Sequence, residues 1–386
     1  MQALHLYAGP KALQAIAKNG LQPGDVGTIP AAAGGPKGLL LLAMDRFLFG
    51  EWLPQSTQSV DLVGASIGAW RMATACLEDP VAGLNRLEHD YIHQHYETSP
   101  GQKRPTATQV SEEFGKNLRA FYAGRIDALL QHPRYRLHVV TSRGRHILGT
   151  EHQWRTPLGY LGAFLTNGLH RKAMGAWLER VVFSSPLPAT GAACAPLPFA
   201  THDYRTRQLP LTAANFNQAL QASCSIPFVL RAVHNIPGAP PGAYWDGGIT
   251  DYHLHLNYAN HRQNAMVSGA AHAYSTGAAG INVPKQLVLY PHFQKAVVPG
   301  WLDKSLKWRH RSTHFLDTTL VLAPNPEWVK TLPNAKLPDR TDFTRYGNDL
   351  AARVKAWRTA TLASEQLVDE FAQWLERPDT KRLQPL

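Results

Sequence analysis

Apolar residues follow two rhythms along this chain. Short continuous runs at Val26 to Ala33, Val60 to Val63 and Leu137 to Thr141 read as buried strands. Ile67 to Leu77, Leu84 to Tyr96, Val110 to Tyr122 and Arg125 to Leu130 keep the three-to-four residue spacing of helices. Strand, glycine loop, helix, strand, tight turn and helix succeed one another through Leu77, which predicts an α/β fold with a parallel sheet and helices on both faces. Ala3 to Asn19 has helical spacing at Leu4, Leu6, Leu13 and Ile16, and Gly20, Pro23 and Gly24 end it. Asn215 to Ala222 reads as helix, Ile226 to Val233 as extended, and Tyr244 and Trp245 as a strand leading into Asp246. Gln286 to Tyr290 is a predicted strand and Asp317 to Leu322 a weaker one. Leu350, Val354, Trp357, Leu367, Phe371 and Trp374 mark a helical tail, broken loosely around Thr359 to Ser364. Capping the core is the favoured role for this tail, and lying on a membrane with Arg353, Lys355 and Arg358 is the alternative. The expected organisation is a helical segment over 1–25, an α/β unit over 26–260, mixed strands and loops over 261–340, and the tail over 341–386.

Three glycine-rich pieces carry the candidate chemistry. The middle one, Gly64-Ala65-Ser66-Ile67-Gly68, fits a nucleophile elbow, in which a Ser sits on a sharp strand-to-helix turn and the flanking glycines make room for it. Ser66 would then stand at a helix N-terminus, whose free N–H groups favour a forming oxyanion. The first piece, Ala33-Gly34-Gly35-Pro36-Lys37-Gly38, follows a strand and opens a helix; consecutive glycine N–H groups there can reach a substrate carbonyl without Cβ interference. It lacks the Lys-Ser/Thr ending of a P-loop, because Lys37 is followed by Gly38 and Leu39, and it lacks the third spaced glycine of a dinucleotide fingerprint. The third piece is Asp246-Gly247-Gly248.

The order of these pieces resembles that of the patatin-like phospholipases, lipid acyl hydrolases with a Ser-Asp dyad. Ala222-Ser223-Cys224-Ser225-Ile226-Pro227 resembles the family's Ala-Ser-x-Ala-x-Pro segment, some twenty residues before the catalytic Asp. The resemblance spans about Val26 to Asn260. It implies a three-layer α/β sandwich with a mostly parallel central sheet, here with a helical C-terminal extension. It also implies Ser66 as nucleophile, Asp246 as base, and an oxyanion hole from Gly34, Gly35, Pro36, Lys37 and Gly38, with Gly64 and Gly68 shaping the elbow and Gly247 and Gly248 completing the Asp motif. Two positions depart from the family pattern: Ala33 replaces a glycine, and Lys37 replaces an arginine, losing its planar fork. Such a dyad needs no metal or organic cofactor, and a lipid ester is the implied substrate. Two rivals stay open: a Ser-His-Asp esterase using one of His253, His255, His261, His272, His292, His310 or His314, and a catalytically silent lipid-binding protein.

Composition changes this picture little. The chain has 386 residues, 44% apolar, enough for a large core, and its three cysteines, Cys76, Cys194 and Cys224, argue against a disulfide framework and for a reducing, cytoplasmic setting. No secretory h-region follows Lys11 and Lys18, and the apolar run Leu39 to Met44 is too short to span a bilayer. Charge adds something: 39 Lys and Arg against 28 Asp and Glu give a formal +11, which favours anionic partners, here a phospholipid surface. Nucleic-acid motifs are absent from the sequence. The run Lys304 to Arg311, with Trp308 inside it, reads as a solvated helix face with one packed aromatic, or as an interfacial anchor. His89 and His93 share a helix face and read as a surface or core pair rather than metal ligands. The Pro- and Gly-rich stretch Ser185 to Leu211 either borders the acyl pocket or is a surface connection.

Overall fold

A computed structural model describes residues 1–96, 105–259 and 287–386. Its centre is one large, mostly parallel sheet with helices on both faces, in the order β11-β1-β10-β9-β2-β3-β4-β5-β6. The strands are β1 (Leu4–Ala8), β2 (Val26–Ala31), β3 (Val60–Ala65), β4 (Tyr135–Gly144), β5 (Leu178–Ser184), β6 (Thr206–Pro210), β7 (Val233–His234), β8 (Ala243–Asp246), β9 (Leu287–Pro291), β10 (Thr319–Pro324) and β11 (Leu383–Pro385). From β10 through β9, β2 and β3 to β4 every pairing is parallel. Those central strands are covered on both faces, which is why β2 reads as an unbroken apolar run rather than an alternating one.

The helices named below are α1 (Pro10–Asn19), α2 (Leu42–Phe47), α3 (Ile67–Ala75), α4 (Pro80–His93), α5 (Ala107–Tyr122), α6 (Ile126–Leu130), α7 (Arg155–Leu169), α8 (Phe216–Cys224) and α9 (Gly248–Asp251). The C-terminal helices Leu350–Ala363 and Glu365–Glu376 cap the core: Phe371 and Trp374 are buried, and Phe371 meets Phe47 edge-on. Arg353 is buried as well, stacked over Phe343 and Trp357, so it cannot face a membrane.

Three sequence expectations are corrected, and one of two open alternatives for Ser185 to Leu211 is dropped. Leu4 to Ala8 is a strand, not the start of a helix, because it pairs with β10 on one side and β11 on the other. Ile226 to Val233 is mainly a turn, since Pro227 interrupts pairing and only Val233–His234 joins β8. Lys304 to Arg311 forms a short 3₁₀ turn at Lys307–Arg309 instead of a helix, with Trp308 exposed rather than packed. The stretch Ser185 to Leu211 ends in β6 and contributes nothing to the cavity described below. The three cysteines are free. Among the described residues no helix is long and apolar enough to cross a membrane.

Candidate active site

Sheet register explains how two residues 180 positions apart come to touch. Along one edge of β4, Val140 pairs with Ala65 at the end of β3, and the next residue, Thr141, pairs with Asp246 at the end of β8. The opposite edge of β4 is taken by β5 over the same residues. β3 and β8 therefore share one edge and run toward each other, and their ends abut at Val140 and Thr141. Ser66 follows Ala65 directly, so its side chain meets Asp246: Ser66 Oγ donates to Asp246 Oδ2 at 2.6 Å.

The elbow itself is strained. Ser66 has φ +57° and ψ −130°, a conformation that costs a non-glycine residue on the order of 1–3 kcal/mol. Close packing holds it there. A Cβ on Gly68 would overlap the carbonyl oxygen of Ala31, and one on Gly64 would overlap the backbone of Ala69. These two glycines let α3 sit directly against β2 and β3.

The segment Ala222 to Pro227 braces both Ser66 and Asp246. Ser223 Oγ accepts the Ser66 N–H at 3.0 Å and donates to Val140 O at 2.7 Å. Asp246 N–H donates to Ser225 O at 2.8 Å, and Gly247 N–H to Ser223 O at 3.2 Å. Gly248 N–H donates to Asp246 Oδ1 at 2.7 Å, so each carboxylate oxygen has its own donor. Behind the Asp motif, Asp251 in α9 holds the buried Arg180 through two bonds of 2.6 and 2.7 Å. Ser223→Ala leaves the buried Ser66 N–H unpaired; we expect a loss of about 1–3 kcal/mol, read as a lower urea midpoint.

The glycine loop lies across the mouth of this dyad. Gly35 is left-handed at φ +56°, and the 3₁₀ helix Gly35–Leu41 starts there. The first helical turn leaves N–H groups without intrahelical partners, and Pro36 has none to offer. Ala33 N–H is occupied by Tyr252 O at 3.0 Å. Gly34 and Lys37 line the cavity, whereas Gly38 faces Ile67, where a Cβ would come within 2.9 Å of that side chain. Gly38 thus serves close packing of loop on elbow helix.

A cavity of about 220 Å³ contains Ser66 and Asp246, walled by Ala33, Ile226, Pro227, Tyr252 and Trp301. Three cations also line it, Lys37, Lys304 and Arg340, and none has an ion pair among the described residues. Lys304 Nζ sits 4.0 Å from the Tyr252 ring centroid, and its pKa falls to about 8 through withdrawal from water and the neighbouring Arg340 and Lys37. Lys37 stacks 5.1 Å above Phe293, and burial lowers its pKa too. Burial raises the Asp246 carboxyl above the usual carboxylate range, opposed by the Ser66 hydrogen bond, Arg340 and Gly248 N–H.

No protein-family model and no curated protein matches this chain. Function therefore rests on the site.

The candidate histidines among the described residues do not reach it. His253 is fixed between Ala296 O and Val298 N–H, His255 between Val297 O and Thr313, and His310 against Asp303 O. His292 is buried beside His253, and His314 sits against Phe315. None of these five lines the cavity. His261 and His272 lie outside the described residues. His89 and His93 stack on each other at 4.2 Å, away from the dyad. Sequence reasoning missed Arg340, Tyr252 and Trp301, which no motif marks, and saw Lys304 only as part of a basic run.

Proposed function

We propose that this chain is a serine acyl hydrolase of the patatin-like kind, cleaving carboxylic esters of lipids through a Ser66-Asp246 dyad. The 2.6 Å bond between the two side chains, at a strained elbow inside a cavity, carries the reading. In acylation, Ser66 Oγ attacks the ester carbonyl carbon as its proton passes to Asp246 Oδ2. The tetrahedral oxyanion is held by N–H groups of the Gly34–Gly35 loop and of the first turn of α3. Its collapse expels the alcohol, which takes the proton from Asp246. Water then gives its proton to Asp246 and attacks the acyl carbon, and Ser66 leaves with that proton restored. Burial helps here, because a carboxylate with a raised pKa is a stronger base. The cavity's access to both dyad residues favours an active enzyme over a silent lipid binder, and among the described residues no histidine lines it, which favours the dyad over a triad.

The three unpaired cations favour an ester bearing an anionic group, as a phospholipid does. For such a substrate we expect KM to rise as pH passes through about 8, where Lys304 loses its charge, while KM for an uncharged ester stays level. Lys304→Gln should show the high KM at every pH. A neutral ester with the same profile would contradict this role.

Asp246 must be ionised to act, so kcat/KM should fall with decreasing pH at a value above the ordinary carboxylate range. Stability moves the other way. Because the folded carboxyl binds its proton more tightly than the unfolded one, the stability it contributes is complete below the unfolded pKa and is lost as pH rises through the folded pKa. Asp246→Asn is therefore expected to be at least as stable as wild type at neutral pH, measured by urea unfolding; a marked loss would contradict the burial argument.

A further inference from the structure

Helix α7 turns an apolar stripe to solvent. Trp154, just before it, and Leu158, Leu161, Leu165 and Leu169 are between 53% and 87% exposed and recur every three or four residues, hence along one face. The opposite face, Thr156, Gly159, Tyr160, Ala163 and Asn167, is buried. From Thr156 to Leu169 the chain has no Asp, Glu, Lys or Arg, whereas Arg155 precedes this stretch and Arg171 and Lys172 follow it. A solvated helix face without charge, bounded by cations, is the pattern of a helix lying in a lipid interface.

The buried side of α7 leads to the border of the cavity. Tyr160 meets Phe228 edge-on at 6.0 Å, and Phe228 and Val229, 61% and 49% exposed, directly follow the cavity residues Ile226 and Pro227. At the other end Arg309 donates to Asn167 Oδ1 at 3.0 Å and to Gly168 O, which places Lys307 and the exposed Trp308 beside the end of α7. The turn Trp301–Asp303, which supplies cavity residue Trp301, packs on α7 as well.

We propose that this face, α7 with the Phe228–Val229 turn and the Lys307–Trp308 turn, docks the protein onto an anionic lipid bilayer with the cavity mouth at the membrane surface. Three observations choose a bilayer as occupant: the charge-free apolar centre, the cationic ends, and the exposed Phe228–Val229 turn beside a cavity too small for a whole long-chain lipid. Arg155, Lys172 and Lys307 have no ion pair among the described residues, so their charge is available to headgroups. With 15 residues α7 is about 22 Å long, short of the roughly 30 Å hydrocarbon core, so it lies in the interface rather than across it.

The inference does not depend on catalysis, so binding is measured on the Ser66→Ala protein by sedimentation with vesicles of phosphatidylcholine containing about one third phosphatidylglycerol. The expected result is co-sedimentation that weakens with salt and falls at least about tenfold in Leu161→Glu/Leu165→Glu, because two leucines no longer enter the lipid. Lys172→Glu/Lys307→Glu should reduce binding to these vesicles and not to phosphatidylcholine alone. Both pairs are solvent-exposed, and circular dichroism should match that of the parent. Failure of the parent protein to sediment, or equal binding by the leucine variant, would overturn the proposal. So would a parent dimer that Leu161→Glu/Leu165→Glu converts to monomer without any vesicle binding, since the stripe would then belong to a second copy.

Discussion

Ser66→Ala is expected to lower ester hydrolysis by at least about 10³-fold while leaving the urea midpoint near that of wild type. In the proposed mechanism the hydroxyl is the part of Ser66 that reacts, and its removal leaves the Ser66 N–H to Ser223 bond untouched. Asp246→Asn should cost about 10²–10⁴-fold, because the amide keeps the shape and can still accept from Gly248 N–H but cannot take the serine proton. The two losses should not multiply in the double variant, since the groups act as one unit. Near wild-type turnover in Asp246→Asn would remove the dyad from the account.

The largest expected effect on stability lies behind the site, where loop and elbow are tied together. Arg71 on α3 and Asp45 on α2 form a fully buried bidentate pair, Nε to Oδ2 at 2.6 Å and Nη2 to Oδ1 at 2.7 Å. α2 continues the glycine loop and α3 follows Ser66 directly, so this pair ties the loop to the segment that carries Ser66. Asp45→Ala leaves a buried guanidinium without its counter-charge and should cost about 3–5 kcal/mol in urea unfolding. Replacing both partners, Asp45→Leu with Arg71→Met, should recover most of that stability, because no uncompensated charge remains. Turnover by the double variant should stay below wild type if the pair positions the loop. An Asp45→Ala protein within about 1 kcal/mol of wild type would show that water reaches Arg71.

Much of this arrangement was legible from residue patterns. The parallel strands β2 and β3 are buried on both faces and so read as apolar runs; the elbow and the Asp motif were visible because sharp turns demand glycines at fixed offsets. Leu4 to Ala8 misled, since its short Leu-His-Leu-Tyr alternation runs straight into the helical period of α1, and both strand partners come from the far end of the chain. The role of Ser223 was hidden for a similar reason: the residue is recognisable, but its hydrogen bond to Ser66 exists only once β3, β4 and α8 converge. The cations around the cavity come from three separate places in sequence, Lys37, Lys304 and Arg340, and no local spacing links them. The exposed stripe of α7 is the most instructive miss. An apolar helical period normally points to the core, and here the small buried residues Gly159 and Ala163 face inward while the leucines face out.

The most direct test of the central claim is labelling by a fluorescent fluorophosphonate, which requires an activated serine. The account predicts that the folded wild-type protein is labelled, that Ser66→Ala is not, and that Asp246→Asn reacts far more slowly. A folded wild-type protein that stays unlabelled, or a label that persists in Ser66→Ala, would contradict it.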